Sequence, residues 1–350
     1  MLVHVLLLLA AQLAESYPEN ACIPDVLDVA QNWGGCTAAN GWLEMLTDHL
    51  PSLFSPWPVF INVGANKGYE APRFLSLWSQ RASVSVKSWQ RGIRDVAAGR
   101  ASVDGETPRK YGFLRSQPCG ACSTVCRGGV KRHARDGGTV HLLELAVANA
   151  KLLRYLAVAT NSSDLISVHN IAASNESGTA HARKVMIGWE QAGMLDPHSF
   201  RIKRKQSDLV IKLTVDDFLD RERLPKIIDL VVVDTEGHDP YVLEGMRGAL
   251  ASKRITLLEF EYSNKWPTHP YSLGKTLTSL AADGYRCYME SRTRKRAGSE
   301  VLAPLSPPCW EAALEKRKWS NVVCSHEPRA LAMLDAAAWV AFDARKKGRG

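Results

Sequence analysis

Ile227-Ile-Asp-Leu-Val-Val-Val-Asp234-Thr-Glu-Gly237 is the stretch on which the reading of the fold turns. Its β-branched run is bounded by a polar glycine turn and reads as a buried strand. Pro240 stands where a helix first turn accepts proline, so Pro240 to Leu250 reads as the following helix. The same unit recurs along the chain. Val59-Phe-Ile-Asn-Val63 reads as a strand, Gly64-Ala-Asn-Lys-Gly68 as a tight turn, and Tyr69 to Ser79 as a helix. Further strands are expected at Thr139 to Glu144, Ile166 to Ile171, Thr179 to Ile187, Leu209 to Val215, Ile255 to Glu261 and Tyr285 to Met289. Helices are expected at Val84 to Ala98, Val147 to Ala159, from Asp216, and at Leu273 to Ala282. Strands alternating with helices give an α/β fold, a doubly wound and mostly parallel sheet with helices on both faces. Ligands in such sheets sit beyond the carboxyl ends of the strands.

Residues at those ends are therefore the candidates: Asn62 and Gly64, Glu144, Asn170, Asp234 and Glu236, and Glu259 and Glu261. Gly64 and Gly68 allow a sharp turn that brings backbone close to a ligand, or simply a structural turn. Neither a dinucleotide nor a nucleoside-triphosphate loop pattern is present. Glu144 stands where such folds hold ribose hydroxyls, although a lone strand-end Glu is as readily a surface residue. Asp234 and Glu236 can face one cleft and attract a cation or receive a proton. Asp239 before Pro240 can instead account for some of that charge as a helix N-terminal group.

Taken in order, Phe60-Ile-Asn-Val-Gly-Ala-Asn-Lys-Gly68, Leu142-Leu-Glu-Leu-Ala-Val-Ala-Asn149, Asn170-Ile-Ala-Ala-Ser-Asn-Glu-Ser-Gly178, Leu213-Thr-Val-Asp-Asp-Phe-Leu219 and Ile228 to Gly237 with Val242-Leu-Glu-Gly-Met246 resemble the FkbM-type S-adenosylmethionine-dependent methyltransferases. The resemblance implies a class I, Rossmann-like methyltransferase fold with S-adenosyl-L-methionine as cofactor. It implies that Asn62, Gly64, Ala65, Asn66 and Gly68 line the methionine end of the cofactor, that Glu144 takes the ribose, and that Asn170 and Ala172 lie near adenine. Asp234 and Glu236 then sit where methyl and acceptor meet, with Asp234 and His238 as catalytic candidates. Departures are His238 in place of a small residue and Leu145-Ala146 in place of a proline. O-methylation of a hydroxyl on a small molecule or glycan is the expected reaction. A secreted or luminal binding protein that kept the fold without catalysis is the alternative.

Composition agrees with a folded domain. The chain has 350 residues, 45% hydrophobic and 23% charged, with a net charge of +8. The basic excess sits in short runs such as Arg201 to Lys205 and Arg292 to Arg296, so no specific nucleic-acid partner is expected. Leu2 to Ala14 is too short to span a bilayer and reads as a signal-peptide core, so no stable membrane span is expected. That places the chain in the secretory lumen or outside the cell, and otherwise in the cytoplasm. Sequons at Asn161 and Asn175 and an even count of eight cysteines accord with the secretory reading. Cys119, Cys122 and Cys126 are open to disulfides, free thiols or, with His133, zinc; no metal is assigned. The expected organisation is a signal peptide at 1–16, a helical lead at 17–57, a methyltransferase domain at 58–291 with a cysteine-containing insertion at about 80–138, and a basic extension at 292–350.

Overall fold

Strand β7 (Ile228–Val233) lies at the centre of an eight-stranded sheet, every residue buried, in a computed structural model of the chain. The structure describes residues 22, 41–79, 81, 83–103, 114, 137–194, 207–267, 269–292, 300–315 and 319–347. The signal-like run, Cys119, Cys122, Cys126, His133 and the run Arg201 to Lys205 lie outside them.

On one side of β7 come β1 (Val59–Val63), β2 (Thr139–Leu143) and β3 (Ile166–His169). On the other comes β8 (Ile255–Tyr262), all parallel. The chain therefore moves outward from β1 to β3 and then returns to the other side of β1. Right-handed crossovers on the two sides place their helices on opposite faces. The point of reversal lies between β1 and β7, which fixes the ligand crevice beyond their carboxyl ends.

Helices α1 (Gly41–His49), α2 (Glu70–Trp78), α3 (Val86–Ala97) and α4 (Val147–Ala159) build the first half. Helix α2 buries Phe74 and Trp78, with Phe74 against Phe60 of β1 at 4.8 Å between ring centroids. Helix α3 starts with a Ser85/Ser88 capping box and buries Trp89, Ile93 and Val96 at helical spacing. A polar residue inside the apolar β7 has a structural use. Asp229 accepts hydrogen bonds from the backbone N–H groups of Ser55 (2.6 Å) and Val59 (2.7 Å), fastening the connector that leads into β1.

Three expected elements differ. The expected strand from Ile166 to Ile171 divides at Asn170. Beyond it β4 (Ile171–Ala173) joins a second sheet with β5 (Gly178–Arg183) and β6 (Ser207–Leu213), in the order β4-β6-β5. After α5 (Val215–Arg221), the expected helix from Pro240 to Leu250 is broken into α6 (Asp239–Glu244) and α7 (Arg247–Ala251). The break falls at Gly245, where a Cβ would stand 2.0 Å from the carbonyl oxygen of Ser174. The third difference is at the C-terminal side. After α8 (Leu273–Ala282) and β9 (Arg286–Arg292), the sheet continues past residue 291 with β10 (Glu300–Pro304) and β11 (Ser320–Ser325), followed by α9 (Pro328–Lys347). Strand β11 inserts antiparallel between β8 and β9, so residues expected as an extension complete the main sheet.

Cys287 of β9 and Cys324 of β11 are direct cross-strand partners joined by a disulfide, both buried; a second disulfide joins Cys22 to Cys309. Among the described residues no cysteine is free. A disulfide of this loop length stabilises by about 2–4 kcal/mol. Replacing Cys287 and Cys324 together by Ala should lower the unfolding free energy read from a urea melt by about that amount. An unchanged unfolding free energy in the double variant would remove this cross-link from the stability account.

Candidate active site

Beyond the ends of β1, β2 and β7 lies a cleft of about 280 Å³, near the lower end of the ~300–1,000 Å³ of small-molecule sites. Gly64, Asn66, Glu144, Asp234, Glu236 and His238 all line it. Ala172 lines it as well, from β4. Residues spread over half of the chain are thus brought to one cleft.

Four expected site residues stand elsewhere. Asn62 is buried within β1, and Ala65 is buried beneath the loop; neither lines the cleft. Gly68, at φ +67°, is a packing position, because a Cβ there would come 2.4 Å from Leu153 Cδ2. Asn170 does not line the cleft. Its amide donates to the carbonyl oxygens of Glu144 (2.8 Å) and Leu145 (3.0 Å), holding β4 against the end of β2.

The loop 64–68 is also not an open cradle for an anion. Gly64 and Ala65 donate their N–H groups to Leu143 O, Gly68 donates to Ala65 O, and Asn66 donates to Glu144 Oε2 at 2.6 Å. Gly64 is required for another reason: at φ +86°, its missing Cβ would stand 1.8 Å from Asp234 O. The loop and the Asp234 turn therefore touch through backbone.

Glu144 accepts from Asn66 N–H on one oxygen and from Ala146 N–H (2.8 Å) on the other. Burial pushes its pKa up to about 7 against the pull of these donors. The Asn149 amide is a third donor to it, and since a carboxylate has about four acceptor positions, one remains for a ligand hydroxyl. Glu144→Ala should thus weaken cofactor binding and also orphan two buried N–H groups, at about 1–3 kcal/mol each. Glu144→Gln keeps one acceptor and should keep the fold. A calorimetric titration and a thermal melt on each variant separate the two losses; unchanged affinity in both variants would remove Glu144 from the site.

The turn 234–239 is organised by Asp239. Fully buried, it accepts from Thr235 N–H and Gly237 N–H, both at 3.0 Å. Burial and then the charge of Asp234 push its pKa up to about 7. Asp239 thus has the capping use that the sequence allowed, leaving Asp234 exposed to the cleft. Glu236, at φ +58°, forms an ion pair with Lys265.

Glu261 acquires a use that only the folded sheet reveals. Its place at the end of β8, beside the end of β7, sets it against Asp234. Burial, then the Asp234 charge and a hydrogen bond to Asp234, push its pKa up to about 10. The pair therefore favours the state in which Glu261 holds the proton and Asp234 the charge. Burial also raises the pKa of Asp234, while Glu261 and Lys265 hold it down. Neighbouring carboxyls that share a proton recur at catalytic sites.

His238 is held neutral. Burial, then Lys212, push its pKa down to about 4, and Nε2 lies 3.0 Å from Ser174 Oγ. Its ring stacks on Tyr241 at 4.5 Å. The segment 186–194 lies across the cleft. Asn149 Oδ1 accepts from Gly188 N–H at 2.7 Å, Asn149 Nδ2 donates to Trp189 O at 3.1 Å, and Glu190 pairs with the buried Lys67 at 2.6 Å. Lys265, Glu190, Asn149 and Tyr241 escaped the sequence reading; Asn149 ends the Leu142–Asn149 motif, and the other three lie outside the quoted motifs.

Asn66 Oδ1 and Thr235 Oγ1 in the cleft wall, and Asn62 Oδ1 and Glu261 Oε2 behind it, are buried without a hydrogen-bond partner among the described residues. Such groups are rare in finished interiors and call for an explanation. A bound polar ligand supplies one at Asn66, which lines the cleft, and at Thr235 in its wall. The excess of carboxylates suits a cationic sulfonium and ammonium, and Glu144 suits a ribose. The residues present thus fit the sulfonium, ammonium and ribose groups of S-adenosyl-L-methionine.

The methyltransferase FkbM domain family matches residues 119–287, a stretch that includes the ends of β2, β7 and β8 and begins after β1. No curated protein matches the chain. Among solved structures the chain is similar to the methyltransferase FkbM from Methylobacillus flagellatus KT, at 14% identity and a TM-score of 0.37, covering 86% of this chain and 58% of that one. It is also similar to the METTL16 methyltransferase domain, at 13% identity and a TM-score of 0.33, covering 82% of this chain and 65% of that one. The chain thus spans less than two thirds of either structure.

Proposed function

We propose that this chain, which carries a methyltransferase FkbM domain over residues 119–287, transfers a methyl group from S-adenosyl-L-methionine to a hydroxyl of a small molecule or glycan. The observation that carries the reading is the placing of Asp234 beside Glu261 at the crevice between β1 and β7, exposed to the cleft that Glu144 also lines. The cofactor, when bound, supplies a methyl already activated on sulfonium. Glu144 and Asn66 orient it from one side and Asp234 attracts its positive end. Holding acceptor oxygen and methyl in line is worth up to ~7–11 kcal/mol. With the cofactor bound, the acceptor oxygen would take the methyl and leave a neutral thioether, and Asp234, whose raised pKa suits a base, would take the acceptor proton. His238, neutral and tied to Ser174, is a weaker base and serves better to orient the acceptor.

Two disulfides support an oxidising compartment, in accord with the secretory reading, and the signal-like run at 1–16 with its separate lead and domain belongs to the same proposal. The same disulfides favour the second reading, a luminal binding protein without catalysis, because the cofactor is made in the cytosol. Among the described residues no helix is long and apolar enough to cross a membrane. Transfer of labelled methyl to a hydroxyl product from a host extract supports the enzyme. Cofactor binding without transfer to any fraction supports the binding protein, and no cofactor binding overturns both.

A further inference from the structure

Charge and shape of the cleft bear on which hydroxyl compounds can enter. Among the described residues that line it, Glu144, Glu190, Asp234 and Glu236 are carboxylic, and Lys265 is the cation. Lys265 is engaged by Glu236, and the nearby Lys67 by Glu190. A carboxylate, phosphate or sulfate on the acceptor would enter against this field with its counter-ions already paired. One wall is aromatic. His238 and Tyr241 line the cleft with their rings stacked, at 14° between planes. Tyr271 meets Tyr241 edge-on at 4.7 Å from behind the lining. Its hydroxyl donates to Glu244 at 2.6 Å, and Asn175 Nδ2 donates to the same oxygen, so the wall is braced. Flat apolar rings beside a donor and acceptor pair, Lys265 and Glu236, match a molecule with one C–H face and a hydroxyl edge. An alkyl chain has no use for that pair.

Resting on the methyl-transfer reading, we infer that the acceptor is an uncharged sugar ring, with its C–H face against the Tyr241 wall and its hydroxyl edge on Glu236 and Lys265. The test is saturation-transfer NMR on the full chain saturated with S-adenosylhomocysteine. The probes are the methyl glycosides of glucose, galactose, mannose, xylose and fucose, with methyl glucuronoside and glucose 6-phosphate as anionic counterparts. At least one neutral glycoside is expected to bind, and the anionic probes to bind about tenfold more weakly or not at all. Tyr241→Ala should weaken the neutral probe about tenfold while S-adenosylhomocysteine affinity and melting temperature hold. Glu236→Gln frees Lys265 and should strengthen glucuronoside binding about fivefold or more, an effect that loss of folding cannot produce. Anionic probes binding as tightly as neutral ones would overturn the inference. So would the absence of any neutral binding to protein that holds S-adenosylhomocysteine, which leaves the methyltransferase reading standing. Failure to hold S-adenosylhomocysteine overturns that reading and this inference with it.

Discussion

Asp234→Asn lowers methyl transfer by about 10²–10⁴-fold, the range for a lost acid–base group, and the unliganded protein melts no lower than wild type. Asp234 is exposed to the cleft, and its charge lies close enough to raise the pKa values of Glu261 and Asp239. Removing that charge relieves both neighbours, while the Asn side chain keeps the volume and can still accept from Glu261. Activity and stability should therefore move in opposite directions, a pattern of residues held in place for function. A variant that unfolds while its surviving fraction methylates normally would make Asp234 structural.

Gly64→Val leaves no folded protein, or costs on the order of 4–5 kcal/mol or more. Two causes add. A β-branched residue at φ +86° is strained, and its Cβ would lie 1.8 Å from a backbone oxygen of the adjoining turn, which cannot swing aside like a side chain. The sequence reading gave Gly64 a turn that could bring backbone close to a ligand, whereas in the fold its missing Cβ lets β1's loop touch β7's turn. Circular dichroism and a urea melt decide. A Gly64→Val protein with native signal and a normal midpoint would show that the loop and the turn are not in contact.

Glu261, the neighbour of Asp234, should make stability depend on pH. The folded pKa of Glu261 is raised, to about 10, so the folded state holds a proton that the unfolded chain releases near ~4.3. Stability from this group is full below the unfolded value and declines as pH rises toward the folded one, by up to about 1.4 kcal/mol per pH unit. Glu261→Gln should flatten that decline between pH 5 and 9, a window that falls within these two pKa values. Identical pH profiles for variant and wild type would show that the two carboxyls do not share a proton.

The central strands were legible because β7 and β1 are apolar at nearly every position, so burial and strand form are written into local composition. Asp234 was legible for the same reason, as the first charge after such a run. What depends on pairing across the sheet was not. Glu261 is one of two glutamates in an apolar stretch until the β7–β8 register sets it beside Asp234. Gly64 and Gly68 announce tight backbone, but the partners that demand them, Asp234 O and Leu153, are remote in sequence. Asn170 sat at an expected strand end, and only the second sheet shows that its amide fixes a strand break. Strands β10 and β11 are short pieces whose partners complete their burial, so residues 292–350 looked like an appendage.

The account rests on S-adenosyl-L-methionine occupying the cleft between the Gly64 loop and Asp234. Calorimetric titration of the full chain with that compound, beside Asp234→Asn and Glu144→Gln, tests it most directly. The account predicts one saturable site in the wild type. It also predicts affinity lowered about tenfold or more in each variant, as expected when a charge-assisted contact worth about 1.5–3 kcal/mol is removed. No binding by the wild type, or equal affinity in all three proteins, would contradict it.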